Sequence, residues 1–205
     1  MEELILGAGA PQKHSVWDNY VPIIASGRHT DIYLTDSIEA PSEYNQVCHI
    51  LRHAFKGDTV TLFINSGGGY IDSSFAMIDA IKASKASVTA HIVGTVASAA
   101  TMLALACSEI VIADHVQFMI HNYSGSASGK GNEIKAQVEF TDKAVNKAFE
   151  CFYAGFLTPL EMELVIAGKD FWMGKEELQL RLATRKAKDT KALEKIAADK
   201  KAGKL

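Results

Sequence analysis

Hydrophobic positions along this chain change period repeatedly, and the changes mark out the elements. Residues 31–35 fit a short strand. Pro41 then suits the first turn of a helix, and Tyr44, Val47, Cys48, Leu51 and Phe55 recur at helical spacing until Gly57. Residues 59–65 switch to alternation, with Val60, Leu62 and Ile64 on one face and Phe63 on the other, which predicts a strand covered on both sides. It runs straight into Ser66-Gly67-Gly68-Gly69. Ile71, Phe75, Ile78 and Ile81 restore the helical period, and 87–93 reads as the next strand. The Ala-rich run 99–107 reads as a helix, and 109–113 and 117–120 as two further strands. A long helical run follows over about 133–156. Its uneven apolar content, including Ile134, Val138, Val145, Phe149 and Phe152, predicts that part of it packs on another subunit. Thr158-Pro159-Leu160-Glu161 pairs a capping box with proline in the first helical position, a specific helix start. Residues 168–173 are expected to close the folded part.

Strand, helix, strand, helix in this order predicts an α/β domain with parallel strands, in which sites form at the carboxyl ends of the strands. Residues 1–30 show no period and read as an amino-terminal arm. From Leu182 the chain turns basic, with Arg185, Lys186, Lys188, Lys191, Lys195, Lys200, Lys201 and Lys204 against only Asp189, Glu194 and Asp199. A solvated tail is the first reading of that stretch, and contact with nucleic acid or an acidic partner is the second.

Composition narrows the class. The 205 residues suit one domain with a real core, and 48% hydrophobic residues with a net charge of -3 read as soluble and globular. No overall basic field favours nucleic acid. Cys48, Cys107 and Cys151 have no metal-ligand spacing, and their odd number argues against a disulfide framework, so a reducing cytoplasm is expected. The acidic start and the short apolar runs predict neither an export signal nor a membrane anchor. No cofactor-binding or metal-binding motif is read.

Two strand ends carry candidate chemistry. Ser98, in GTVASAA, stands where a strand gives way to a helix. There its hydroxyl can be presented while the first helical amides stay free for a developing anion, although such a small-residue run also suits a packing seam. The triple glycine can serve as a phosphate cradle, an oxyanion hole or merely a permissive turn; neither a dinucleotide fingerprint nor a Walker lysine accompanies it. His121 differs from the other six histidines in ending a strand ahead of a Gly/Ser-rich run, and Asp170 lies beside large apolar residues. If these residues meet, His121 takes the Ser98 proton, Asp170 orients the imidazole, and the amides of Gly69 and Ala99 bind the oxyanion.

With those residues in place the chain resembles a family. Over 59–180, FINSGGG, GTVASAA, FMIHNYSG and GKDFWMGKEEL resemble, in order, the strand and glycine loop, nucleophile turn, histidine segment and aspartate segment of the Clp protease proteolytic subunit. The resemblance implies a crotonase-like (ClpP/crotonase) α/β spiral of β-β-α units with a protruding handle helix. It divides the chain into an arm (1–30), a peptidase domain (31–181, handle about 122–156) and a basic tail (182–205). It implies Ser98 as nucleophile, His121 as general base and acid, Asp170 as orienting carboxylate, and Gly69 and Ala99 as backbone oxyanion donors. Gly68, Tyr70, Asn122 and Tyr123 would flank a peptide bound as an added strand. The implied assembly is heptameric rings stacked as a tetradecamer around a chamber for peptide or unfolded protein, with a AAA+ unfoldase as a weaker expectation. The chain departs from the pattern in having Gly67 where proline is usual and Ala99 where methionine is usual. A virus-encoded capsid-maturation protease of the same fold, or a non-hydrolytic crotonase-fold module, are the alternatives.

Overall fold

A computed structural model describes residues 21–201. Six strands form one sheet in the order β1 (Ile23–Ser26), β2 (His29–Leu34), β3 (Thr59–Ser66), β4 (Ser87–Ala97), β5 (Glu109–Ile120) and β6 (Phe171–Met173). The four central strands are parallel, as the sequence pattern predicts, whereas β1 and β6 pair antiparallel at the two edges. Helices α1 (Asn45–His53), α2 (Ile71–Ala83) and α3 (Ala99–Ala106) fill the crossovers, with a 3-10 turn at Pro41–Tyr44 ahead of α1. After β5 come α4 (Gly131–Tyr153), α5 (Pro159–Ile166) and, past β6, α6 (Lys175–Lys201). This is the mixed α/β architecture expected of the crotonase-like fold.

The period-2 pattern explains which face of the sheet carries the core. Ile32 and Leu34, Val60, Leu62 and Ile64, Val88, Ala90 and Ile92, and Phe118 and Ile120 are all buried on one side. On the other side Tyr33, Phe63 and His91 stand in register on three adjacent strands and stack at 4.9 and 5.0 Å between ring centres. These three remain half-exposed, so the face of Phe63 expected to be covered is shielded only by the neighbouring rings of the strand row.

Several boundaries differ from the expectation. The last residues assigned to the arm form β1 and the start of β2, an antiparallel edge that the short mixed sequence did not reveal; the rest of the arm, 1–20, lies outside the described residues. Residues 109–120 are one strand, not two. The break in period at Asp114 and His115 is a bulge: Ile92 pairs with Ile112 but Gly94 with Val116. Phe55 lies past the end of α1 and is 73% exposed. The fold does not close at Met173 either. Leu178 in α6 is fully buried, and Arg181 forks onto Glu161 at 2.7 and 3.0 Å, binding α6 to the start of α5. Helix α6 then runs through residue 182 without a break. The capping box is present, with Thr158 Oγ1 accepting from the Glu161 amide.

Helix α4 has two characters. Val145, Phe149, Phe152 and Tyr153 bury its carboxyl-terminal half, while residues 131–144 are mostly exposed and carry Phe140 at 75% exposure. It therefore stands off the body at its amino-terminal end.

Candidate active site

Strand β4 is bent to deliver Ser98. Between Ile92 and Val96 it carries two residues more than β3, and the Asn65 carboxamide fills the gap by accepting the Thr95 amide at 3.0 Å. Gly94, at φ 63, leaves room there: a methyl group on it would lie 2.7 Å from Asn65 Oδ1. At the strand's end Ser98 adopts φ 55 and ψ -130, and it is the one non-glycine residue with positive φ among those described. Strain of this kind costs about 1–3 kcal/mol and persists only where its surroundings over-determine it. Here they do. The Ser98 amide donates to Met119 O at 2.9 Å, its carbonyl accepts from Thr101 Oγ1 at 2.6 Å, and Thr101 in turn bonds Tyr153 on α4 at 2.6 Å. Thr101 and Tyr153 are both buried, and that burial pushes the tyrosine's pKa up.

The glycine loop lies on this turn. Gly68, at φ 92, touches the nucleophile segment so closely that a methyl group on it would meet Ser98 Cβ at 2.6 Å, Ala97 O at 2.7 Å and Ala99 N at 3.0 Å. Its own amide donates to Ser66 Oγ at 3.1 Å. Gly69 is held from the other side. Ile38 N–H donates to Gly68 O at 2.9 Å and Ile38 O accepts from Tyr70 N at 2.8 Å, forming a parallel bridge. In such a bridge the amide and carbonyl of the middle residue point away from the partner, so those of Gly69 face outward as a short open edge. Ile38, which sets this edge, drew no attention in the sequence because a lone isoleucine in a loop carries no period.

Register brings the remaining candidates to the same edge. Ala97 pairs with Met119, which sets Ser98 beside Ile120, one residue short of His121. Ile120 pairs antiparallel with Phe171, so one step beyond the ladder His121 and Asp170 stand across from each other. Ser98, His121 and Asp170 thus share one end of three adjacent strands. Their side chains are not joined: among the described residues no hydrogen bond links any two of them, and Asp170 is exposed. Asn122 and Tyr123 are occupied internally. Asn122 Nδ2 donates to Ile166 O at 2.9 Å, and the Tyr123 hydroxyl donates to Asp142 on α4, a hydrogen bond that raises the phenol's pKa. Tyr70 is 60% exposed beside the open edge. Among the described residues no three His, Cys, Asp or Glu side chains group closely enough to hold a metal ion.

The fold is thus a six-stranded α/β sheet with a strained serine at a strand-to-helix turn, backed by a glycine loop. Comparison with known proteins gives the family. The family model described as Clp protease matches residues 13–179, and the chain belongs to that family. It is 28% identical to the ATP-dependent Clp protease proteolytic subunit 3 of Rhizobium meliloti (strain 1021), over 60% of this chain and 65% of the relative. It is 27% identical to the ATP-dependent Clp protease proteolytic subunit 1 of Protochlamydia amoebophila (strain UWE25), over 71% of this chain and 74% of the relative. With the ATP-dependent Clp protease proteolytic subunit of Bacteroides thetaiotaomicron the identity is 24%, over 76% and 69% of the two chains. The chain therefore spans about two thirds to three quarters of the length of these relatives.

Proposed function

We propose that this chain is the subunit of a serine endopeptidase that hydrolyses peptide bonds with Ser98, His121 and Asp170. The observation that carries the reading is the strained φ of Ser98, held by Met119, Thr101 and Tyr153 and backed by Gly68. A peptide adds as a strand to the open edge at Gly69, its carbonyl lying over the Ser98 turn. Ser98 Oγ attacks the carbonyl carbon as His121 takes its proton. The amides of Gly69 and Ala99 hold the oxyanion, and His121 returns the proton to the leaving amine. Water then repeats the cycle on the acyl-enzyme. Asp170 pairs with His121 as the site fills, since catalytic hydrogen bonds often tighten only around bound substrate.

The exposed amino-terminal half of α4, with Phe140 and Val138 outward, supports self-association. The proposal extends to heptameric rings stacked as a tetradecamer, a cytoplasmic location and, as a weaker element, a AAA+ unfoldase partner, each suggested by the family and open to test. No helix among the described residues is long and apolar enough to cross a membrane. One observation favours a second reading: the three side chains are not hydrogen-bonded, as in a catalytically silent module of the same fold. Hydrolysis of an unstructured protein or a fluorogenic peptide, lost on Ser98→Ala, supports the peptidase. Turnover by neither protein supports the silent module, and equal turnover by both excludes Ser98 as the nucleophile.

A further inference from the structure

The residue after the proposed base has a side chain that is committed twice within the chain. Asn122 Nδ2 donates to Ile166 O at 2.9 Å, and its Oδ1 accepts the Tyr123 amide at 2.9 Å. Ile166 is the last residue of α5, and the turn beyond it delivers Asp170. That turn is fixed: the amides of Ala167, Gly168 and Lys169 donate to the carbonyls of Glu163, Val165 and Leu164, each at 2.9 Å, and Val165 is fully buried in the core. By contrast the β5–β6 ladder is only three pairs long and stops at Ile120 and Phe171. Beyond it no ladder pair sets His121 against Asp170. The Asn122–Ile166 bond is the next tie, so His121 and Asp170 lie in a loop closed by the ladder on one side and by this bond on the other.

We propose that Asn122 is a positioning residue. Its carboxamide bridges the end of β5 to the end of α5 and so sets the separation at which His121 and Asp170 pair. This rests on the peptidase reading above. It also gives Asn122 a role beyond substrate contact, because each end of its amide already makes a bond within the chain. Tyr123 holds the same strand end to Asp142 on α4, so two consecutive residues tie the base to two separate helices.

Asn122→Asp keeps the size and the acceptor for the Tyr123 amide but replaces the donor with a carboxylate oxygen facing the Ile166 carbonyl; Asn122→Ala removes both bonds. Peptide hydrolysis by the full assembled chain and the rate of Ser98 modification by a fluorophosphonate are measured for both variants beside the wild type. Misplacement of a catalytic pair by about 1 Å costs on the order of 100-fold, so kcat is expected to fall about 10–100-fold in both variants with KM within about twofold. Ser98 modification slows in step, while the sedimentation coefficient and thermal midpoint of Asn122→Asp stay near those of wild type. Unchanged kcat, or a raised KM at constant kcat, overturns the proposal. So does a loss that follows unfolding or disassembly in both variants, since the role is then structural. A wild type that the fluorophosphonate does not modify removes the peptidase reading itself, and this proposal with it.

Discussion

Gly68 is the position where one methyl group separates the glycine loop's role from that of an ordinary turn. A Cβ there would stand 2.6 Å from Ser98 Cβ. That is about 0.9 Å inside the ~3.5 Å at which two carbons rest in contact. The neighbours are the backbone of Ala97 and Ala99 and the short side chain of Ser98, none of which can swing aside. The φ of 92 adds about 1–2 kcal/mol for any residue with a side chain. With overpacking of about 1–3 kcal/mol, Gly68→Ala is expected to destabilise by about 2–5 kcal/mol. Whatever part of the overlap is relieved by moving the serine turn appears in catalysis, as a fall in kcat on the order of 100-fold. Gly67 is the control: nothing lies within 4 Å of a methyl group placed on it, and Gly67→Ala is expected to change stability by less than about 0.5 kcal/mol. Urea denaturation and peptide hydrolysis are measured for both variants. Equal behaviour of Gly68→Ala and Gly67→Ala refutes the packing of the loop on Ser98.

Strain at Ser98 predicts that Ser98→Gly, though inactive, is more stable than Ser98→Ala by about 1 kcal/mol, the relief of positive φ outweighing glycine's freedom in the unfolded chain. Their thermal midpoints test this, and a less stable glycine variant contradicts it. Tyr153→Phe leaves Thr101 its bond to Ser98 O and is expected to cost about 1 kcal/mol, whereas Thr101→Val strands the buried Tyr153 hydroxyl and costs about 1–3 kcal/mol; chemical denaturation ranks the pair. The Arg181 fork holds the Glu161 carboxyl down to about 2, below its ordinary 4.5, with desolvation opposing and the Thr158 amide assisting. A lowered folded-state pKa gives stability that is present above about 4.5 and lost as pH falls toward 2. The stability difference between wild type and Glu161→Gln should therefore narrow over that window, and a gap independent of pH rules the ion pair out as its source.

Much of this fold was legible because local signals agreed with tertiary ones. Alternation in 59–65 gave β3, and the proline and capping box at 158–161 gave the start of α5, since both patterns are set by backbone hydrogen bonding within a few residues. What was hidden depended on distant partners. Strand β5 looked broken at Asp114 and His115 because a bulge interrupts the period without ending the strand, and only pairing with β4 shows that it continues. Phe55 kept the helical spacing but fell outside the helix and the core. The strand ends at Ser98 and His121 were legible, whereas strand β6, which brings Asp170 to the same edge, was not read, and neither were the ties that set these positions. Thr101 with Tyr153, Ile38 with the glycine loop, and Asn122 with Ile166 are contacts across 52, 31 and 44 residues, and no period in the sequence encodes them.

The central claim is an activated serine, and intact-mass analysis after fluorophosphonate treatment tests it most directly. The wild type is expected to gain one adduct per chain, and Ser98→Ala none. A wild type that stays unmodified, or an adduct that persists in Ser98→Ala, would contradict a nucleophile at that turn.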